Sequence, residues 1–266
     1  MLSAERRRWI QQKLEREGVV KIGDLTGELG VSAMTIRRDL DQLEQEMAIQ
    51  RTHGGAMLNS TRLRESPLRE KEIRNGQAKR AIARAAKSLL SSGESIILDA
   101  GSTHLTFARE LKQMKDLLLV TNDIKIAVEL GDEEGIRVIL TGGELKTHVY
   151  SLEGYFGETM LQDLQVDIAF VGCDGFSLEG GTQTHSLPKV KMKQTMLQRA
   201  SRRVLMADAS KLNQPGLVRF ASLEEFQVIV TDDRIPDDFR EVCEELKIQL
   251  IVADRGDERP DQERSH

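Results

Sequence analysis

The chain has 266 residues, of which 39% are hydrophobic and 30% charged, with a net charge of −5. That balance fits one large domain or two with a sizeable core, and excludes a wholly disordered chain. Apolar runs such as 117–120 stop at four residues, far short of the roughly 20 a membrane span needs, and no apolar signal segment opens the chain.

Cys173 and Cys243 lie 70 positions apart, which is neither a disulfide framework nor a zinc spacing. A cytoplasmic protein with no metal, no cofactor and no membrane partner is expected. The charge is unevenly spread. Residues 1–58 balance 9 Lys/Arg against 9 Asp/Glu, residues 59–80 carry 7 against 3, and residues 81–266 carry 22 against 31. A DNA contact would therefore need a local basic face rather than global charge.

Residues 1–58 read as three helices and a hairpin. Ser3 can start a helix running to Glu17, with Ile10 and Leu14 on one face. An extended piece, 19–22, precedes a second helix over 23–29, and Gly30 supplies a tight turn. Ser32 is a good N-cap for a third helix, whose Ile36, Leu40 and Leu43 recur at inward-facing spacing. Thr35, Arg37 and Arg38 then fall near the start of its other side, where recognition helices present residues to base edges. Residues 48–52 and the His53-Gly54-Gly55 turn read as a wing carrying Arg51 and His53. Arg6, Arg7 and Arg8 would add backbone contacts, and Trp9 suits a packing surface. Periodicity alone leaves a protein-interaction module equally open, with Arg37 or Arg38 paired to Asp39 or Asp41.

Residues 59–76 are polar and basic, contain Pro67, and suit a linker. Beyond them, strands are expected at 95–99, 117–121, 137–141, 167–172, 204–208, 227–231 and 249–253, with helices at 77–90, 103–113, 123–130, 190–201 and 237–246. Short apolar strands alternating with helices give a parallel α/β sheet over 77–254. The charged stretch 255–266 reads as a disordered tail.

Several motifs together carry a resemblance. Arg6, Ile10 and Leu14, the run Ser32–Leu40 containing TIRRDL, and RTHGGA from Arg51 to Ala56 resemble the deoxyribose-operon-repressor (DeoR) family of bacterial regulators. The resemblance covers nearly the whole chain. It implies a winged helix-turn-helix joined to a Rossmann-like parallel α/β domain similar to sugar-phosphate isomerases. It also implies a homo-oligomeric regulator, usually a repressor of a carbohydrate or sugar-acid operon, that binds double-stranded operator DNA and is relieved by a phosphorylated sugar or sugar acid. One departure concerns the wing: family members commonly have Gly where this chain has Met47, which removes the easiest left-handed helix cap.

Ligands of parallel sheets bind at the carboxyl ends of strands. Here those ends read DAGST, TN, TGG, GCDG and DASK. Gly101, Ser102 and Thr103 open a helix and would hold a phosphate on its free amides. Lys211 would neutralise it, and Asn122 and Asp174 would bond sugar hydroxyls. Gly142 and Gly143 would let backbone come close. Lys193 aligns with a family lysine and would reach a carboxylate or phosphate, against the alternative of a solvated lysine beside Lys189 and Lys191. His104 stands where the family often has Thr, as a phosphate sensor or an ordinary helix-start histidine. Cys173 reads as a small buried filler. A sugar-phosphate isomerase is the rival reading. The single carboxylate in GCDGF falls short of the acidic signature such enzymes carry, so no catalytic residue is expected.

Overall fold

The computed structural model describes residues 3–17, 19–46, 49–52, 54–58 and 66–256. The chain forms two compact units, Met1–Glu65 and Ser66–His266.

The first unit contains helices α1 (Ser3–Glu17), α2 (Ile22–Leu29) and α3 (Ala33–Glu46) with strands β1 (Val19–Lys21), β2 (Ile49–Thr52) and β3 (Gly55–Leu58). Ile10 and Leu14 from α1, Leu25 from α2, and Ile36, Leu40 and Leu43 from α3 close one core. Gly30 ends α2 at φ 64°, and its N–H bonds to Thr26 O at 3.1 Å. Ser32 caps α3 through Thr35 N–H at 3.2 Å. The hairpin is a three-stranded sheet in the order β1-β3-β2, because the expected extended piece joins it as β1. Gly55 makes that possible: a Cβ there would lie 1.9 Å from Val20 O across the β1–β3 pair. Met47 and His53 lie outside the described residues.

The second unit begins earlier than expected. Within the expected linker over 59–76, Leu68–Ile73 forms helix α4, and Leu68 is buried in the core. After helix α5 (Gly76–Lys87), the main sheet is built from β4 (Ser95–Leu98), β5 (Leu117–Thr121), β6 (Ile136–Leu140), β9 (Val166–Val171), β12 (Ala200–Met206), β14 (Val228–Asp232) and β15 (Gln249–Ala253). Its order is β15-β14-β12-β9-β4-β5-β6, and every pair is parallel. Helices α6 (Ser102–Leu111), α7 (Ile124–Leu130), α8 (Tyr155–Gln162), α9 (Leu187–Gln198) and α10 (Asp237–Glu245) connect it. Two core layers flank the sheet, one around Phe107 and Phe170 and one around Phe176, Phe226 and Phe239.

Sequence reading missed two small pieces: the pair β7 (Glu144–Leu145) and β8 (Leu152–Glu153), and an antiparallel sheet of β10 (Gly175–Ser177), β11 (Gly181–Thr184) and β13 (Val218–Ala221). Helix α9 starts three residues before its expected position, with Pro188 in its first turn, where a missing N–H costs nothing. Ala200 and Ser201, expected at that helix's end, belong to β12. Of the expected tail, Arg255 donates to Asp233, and residues 257–266 lie outside the described residues.

The strand order fixes where a ligand can go. From β4 the chain runs outward through β5 to β6, then crosses back to β9 and continues the other way to β15. The reversal falls between β4 and β9, and open parallel sheets bind ligands in the crevice outside the carboxyl ends at such a point.

Candidate effector cleft and DNA-facing helix

The ends of β4 and β9 are bridged by charge. Asp99 follows β4 and accepts Ala100 N–H at 2.9 Å and Gly172 N–H at 3.0 Å. Lys193 of α9 pairs with the same carboxylate and donates to Gly172 O at 2.8 Å. The two side chains are only 3% and 6% exposed. Burial alone would raise the Asp99 carboxyl, but Lys193 and the neighbouring groups hold it below its ordinary value. Lys193 is thus neither solvated nor free for a guest; it neutralises a buried carboxylate under the crevice.

His104 packs into this cluster, and a Cβ on Gly172 would meet its Cε1 at 2.6 Å. Burial lowers its pKa to about 4; Asp99 opposes that shift, while Lys193 and Lys211 add to it. The imidazole is therefore neutral near pH 7, and its Nε2 is buried without a partner among the described residues.

The helix-start amides sit above. Gly101 N–H is taken by Asp123 Oδ2 at 3.2 Å, contrary to its expected role as a phosphate donor. Ser102 and Thr103 are buried, and their N–H groups precede the first helical bond, Leu105 N to Gly101 O at 2.8 Å. They have no intrahelical acceptor. Asp123 also caps α7 through Lys125 N–H at 2.7 Å and Ile126 N–H at 3.2 Å. Its burial raises the carboxyl to about 6, in spite of these bonds.

Asn122 donates from Nδ2 to Leu152 O at 3.3 Å, and its Oδ1 is buried with no partner among the described residues. Thr141 Oγ1, beyond β6, is also buried with no partner among the described residues. Gly143 has φ 133°, and a Cβ there would lie 2.5 Å from Glu153 O. Its close approach is to the chain's own β8, not to open space. Gly142 is exposed beside Phe156.

On the β9–β12 side, Asp174 Oδ2 accepts Thr184 Oγ1 and His185 N–H, each at 3.0 Å, and Oδ1 lies 3.3 Å from Lys71 Nζ. Desolvation works against its charged form, yet Lys71 and Lys211 hold it well below the usual carboxylate range. Lys211 Nζ donates to Cys173 O at 2.6 Å. Cys173 is buried, which pushes its thiol up to about 12. The expected residues after β4, β5, β9 and β12 thus converge on the switch point. Sequence reading missed Asp99, Asp123 and Lys71: the first follows β4, the second caps α7, and the third lies in the expected linker.

In the first unit, Arg37 and Arg38 are exposed on α3, and neither side chain has an ion-pair partner among the described residues. The carboxylates that could have occupied them are taken. Asp39 is held by Arg6, at 2.5 Å from Nε and 3.2 Å from the second nitrogen. Asp41 is held by Arg51, which also donates to Arg37 O at 3.0 Å. Arg6 is therefore buried, not a free backbone contact, and Arg51 is fastened to α3. Trp9 packs against the core, with Lys13 Nζ 5.3 Å from its ring.

Residues 6–62 match the DeoR-like helix-turn-helix domain, and residues 74–233 match the DeoR C terminal sensor domain. The chain belongs to the DeoR family. It is a DNA-binding transcriptional regulator with an α/β sensor domain. It is 36% identical over 251 residues to the HTH-type transcriptional regulator GlpR of Haloferax volcanii, covering 94% of this chain and 98% of that protein. Over 235 residues it is 32% identical to the regulator GolR of Listeria innocua, covering 88% and 92%. The L-fucose operon activator of Haemophilus influenzae is 29% identical over 243 residues, covering 91% and 97%. Among solved structures, ribose 5-phosphate isomerase A of Methanocaldococcus jannaschii shows a distant likeness, with 20% identity, 64% of this chain, 66% of that chain and a TM-score of 0.39. No helix among the described residues is long and apolar enough to cross a membrane.

Proposed function

We propose that this regulator represses a carbohydrate or sugar-acid operon in the cytoplasm and is relieved by a phosphorylated sugar or sugar acid in the β4–β9 cleft. The observation that carries the reading is the set of unsatisfied atoms: His104 Nε2, Asn122 Oδ1 and Thr141 Oγ1 are all buried without partners among the described residues, beyond three adjacent strands. Buried polar groups are nearly always paired, and a polyhydroxylated guest supplies both donors and acceptors. Ser102 and Thr103 amides would take the phosphate with Lys211 beside it. Asn122, His104 and Asp174 would read hydroxyls, with Gly142 at the rim. Lys193 positions Asp99, and Gly143 shapes the wall.

The site binds without turnover in this reading. Aldose–ketose conversion needs a base near the working pH. Asp174 is held too far down, and the oxygens of Asp123 are occupied by three backbone N–H groups.

On DNA, Thr35, Arg37 and Arg38 would enter the major groove. Ser32 fixes the helix start, and Arg51 braces the helix while its wing, with His53, approaches the backbone. A homo-oligomer would present several such heads and raise avidity. The test is a thermal-shift screen of pentose, hexose and sugar-acid phosphates, followed by operator release. A phosphorylated sugar should raise the melting temperature and lower operator affinity at one concentration. Stabilisation by none of the panel, or rapid isomerisation of a panel member, would refute the reading.

A further inference from the structure

The chain arriving from the first unit enters the second at Ser66, and the stretch that follows is fastened to the strand ends. Leu68 is buried, and its N–H bonds to His148 O at 2.8 Å. Lys71 reaches Asp174 Oδ1 at 3.3 Å. Asn75, at φ 54°, gives its Nδ2 to Asp208 Oδ1 and Ser210 Oγ, each at 2.9 Å. Arg234 donates to Asn75 Oδ1 at 3.3 Å. Beneath the segment, the buried Lys79 donates to the carbonyls of Lys71 and Arg74. A short polar helix with one apolar anchor is thus tied down mainly through side chains that border the cleft.

We propose that residues 66–75 are a strap, and that the Lys71–Asp174 contact is where cleft occupancy is passed to the DNA-binding unit. This rests on the effector cleft described above. The two oxygens of Asp174 are not equivalent. Oδ2 is held inside the fold by Thr184 and His185, whereas Oδ1 faces Lys71. With two donors already on Oδ2, a guest hydroxyl donating to Asp174 finds room on Oδ1, where it shares the oxygen with the ammonium and weakens its hold. A phosphoryl group beside Lys211 draws Lys71 off the carboxylate from the other direction. Either event loosens the strap, through which the covalent path between the units runs. A ligand shifts an equilibrium only by its differential contacts with two states, and this pair is such a contact. By reciprocity, operator binding would tighten the same pair.

The test uses the full chain and needs no effector. Lys71→Met, Asp174→Asn and the double variant are compared with wild type in two measurements. One is hydrogen exchange of amides 68–75, with amides of β4 and β9 as the control for folding. The other is fluorescence anisotropy on a duplex that wild-type protein selects from random-sequence DNA. Each single variant should speed exchange at 68–75 at least tenfold while β4 and β9 stay protected. Each should weaken duplex binding at least fivefold, and the double variant should be no worse than the weaker single. If Asp174→Asn loses protection in β4 and β9, Lys71→Arg replaces it and should retain wild-type exchange and affinity, in contrast to Lys71→Met. Unchanged exchange in Lys71→Met, affinities within twofold of wild type, or multiplying effects in the double variant would overturn the strap alone. A wild-type chain that selects no duplex would overturn the regulator reading beneath it.

Discussion

Replacing Lys193 by Met leaves the Asp99 carboxylate buried with no cation. Both side chains are almost fully enclosed, and the ammonium also serves Gly172 O. Removing one partner of such a pair costs about 3–5 kcal/mol, because the remaining charge stays desolvated. In a unit of this size each kcal/mol moves the midpoint by about 2–4 °C, so melting should fall by about 6–20 °C. The loss should shrink on acidification. Asp99 is held below its ordinary value in the wild type, so its contribution is present above the unfolded pKa of about 3.9 and fades only as pH falls through the folded value. Without Lys193, burial raises the same carboxyl, so the variant regains stability as pH drops towards 4. Circular-dichroism melts at pH 7 and pH 4.5 read both effects, and adding Asp99→Asn should return at least half of the loss. A Lys193→Met protein melting within 2 °C of wild type, but unable to respond to any sugar phosphate, would reverse the assignment and make Lys193 a ligand-binding residue.

Arg38→Ala should weaken operator binding by about 1–3 kcal/mol and relax sequence preference at one position, as for a bidentate base contact; anisotropy with single-base operator variants checks it. Arg6→Met should act differently: it leaves Asp39 buried and unpaired, so the first unit should lose about 3–5 kcal/mol of stability, and preference among operators that still bind should be unchanged. Two groups oppose one another in the acid range. His104, lowered to about 4, takes up its proton less readily in the fold, so its contribution rises with pH between about 4 and 6.5. Asp123, raised to about 6, makes stability fall as pH rises from about 4 to 6, by about 2 kcal/mol. Urea unfolding of His104→Thr should therefore show stability declining over that range, and Asp123→Asn the opposite slope; parallel slopes in the two variants would contradict the assignments.

The apolar frame was legible because it is local. Ile36, Leu40 and Leu43 mark the inward face of α3 at helical spacing, and the run at 117–121 is β5 residue for residue. Strand ends rich in small and hydroxylated residues marked the crevice for the same reason. Ion pairs were not legible, because partners such as Asp99 and Lys193 lie 94 positions apart. Reading Lys193 as a ligand and Arg6 as a DNA contact took each charge without its counter-charge. Helix α4 escaped because it has one buried apolar residue, Leu68, and no periodic stripe. The small sheet of β10, β11 and β13 escaped because its strands are only three or four residues long.

Those pairings bear on what the cleft can select. Lys193 is matched by Asp99, Lys71 by Asp174 and Lys189 by Glu153, while Lys211 donates to a neutral carbonyl, Cys173 O. A phosphate entering the crevice therefore meets little uncompensated positive charge and gains mainly from helix-start amides and one lysine, so inorganic phosphate alone should bind weakly. The remaining affinity must come from the neutral, unsatisfied side of the site, where His104 Nε2, Asn122 Oδ1 and Thr141 Oγ1 each lack a partner among the described residues. A site built to hydrogen-bond a hydroxyl rejects analogues that lack it far more strongly than an apolar pocket rejects a missing methylene. Discrimination should accordingly follow the pattern of hydroxyls on the guest more than its charge.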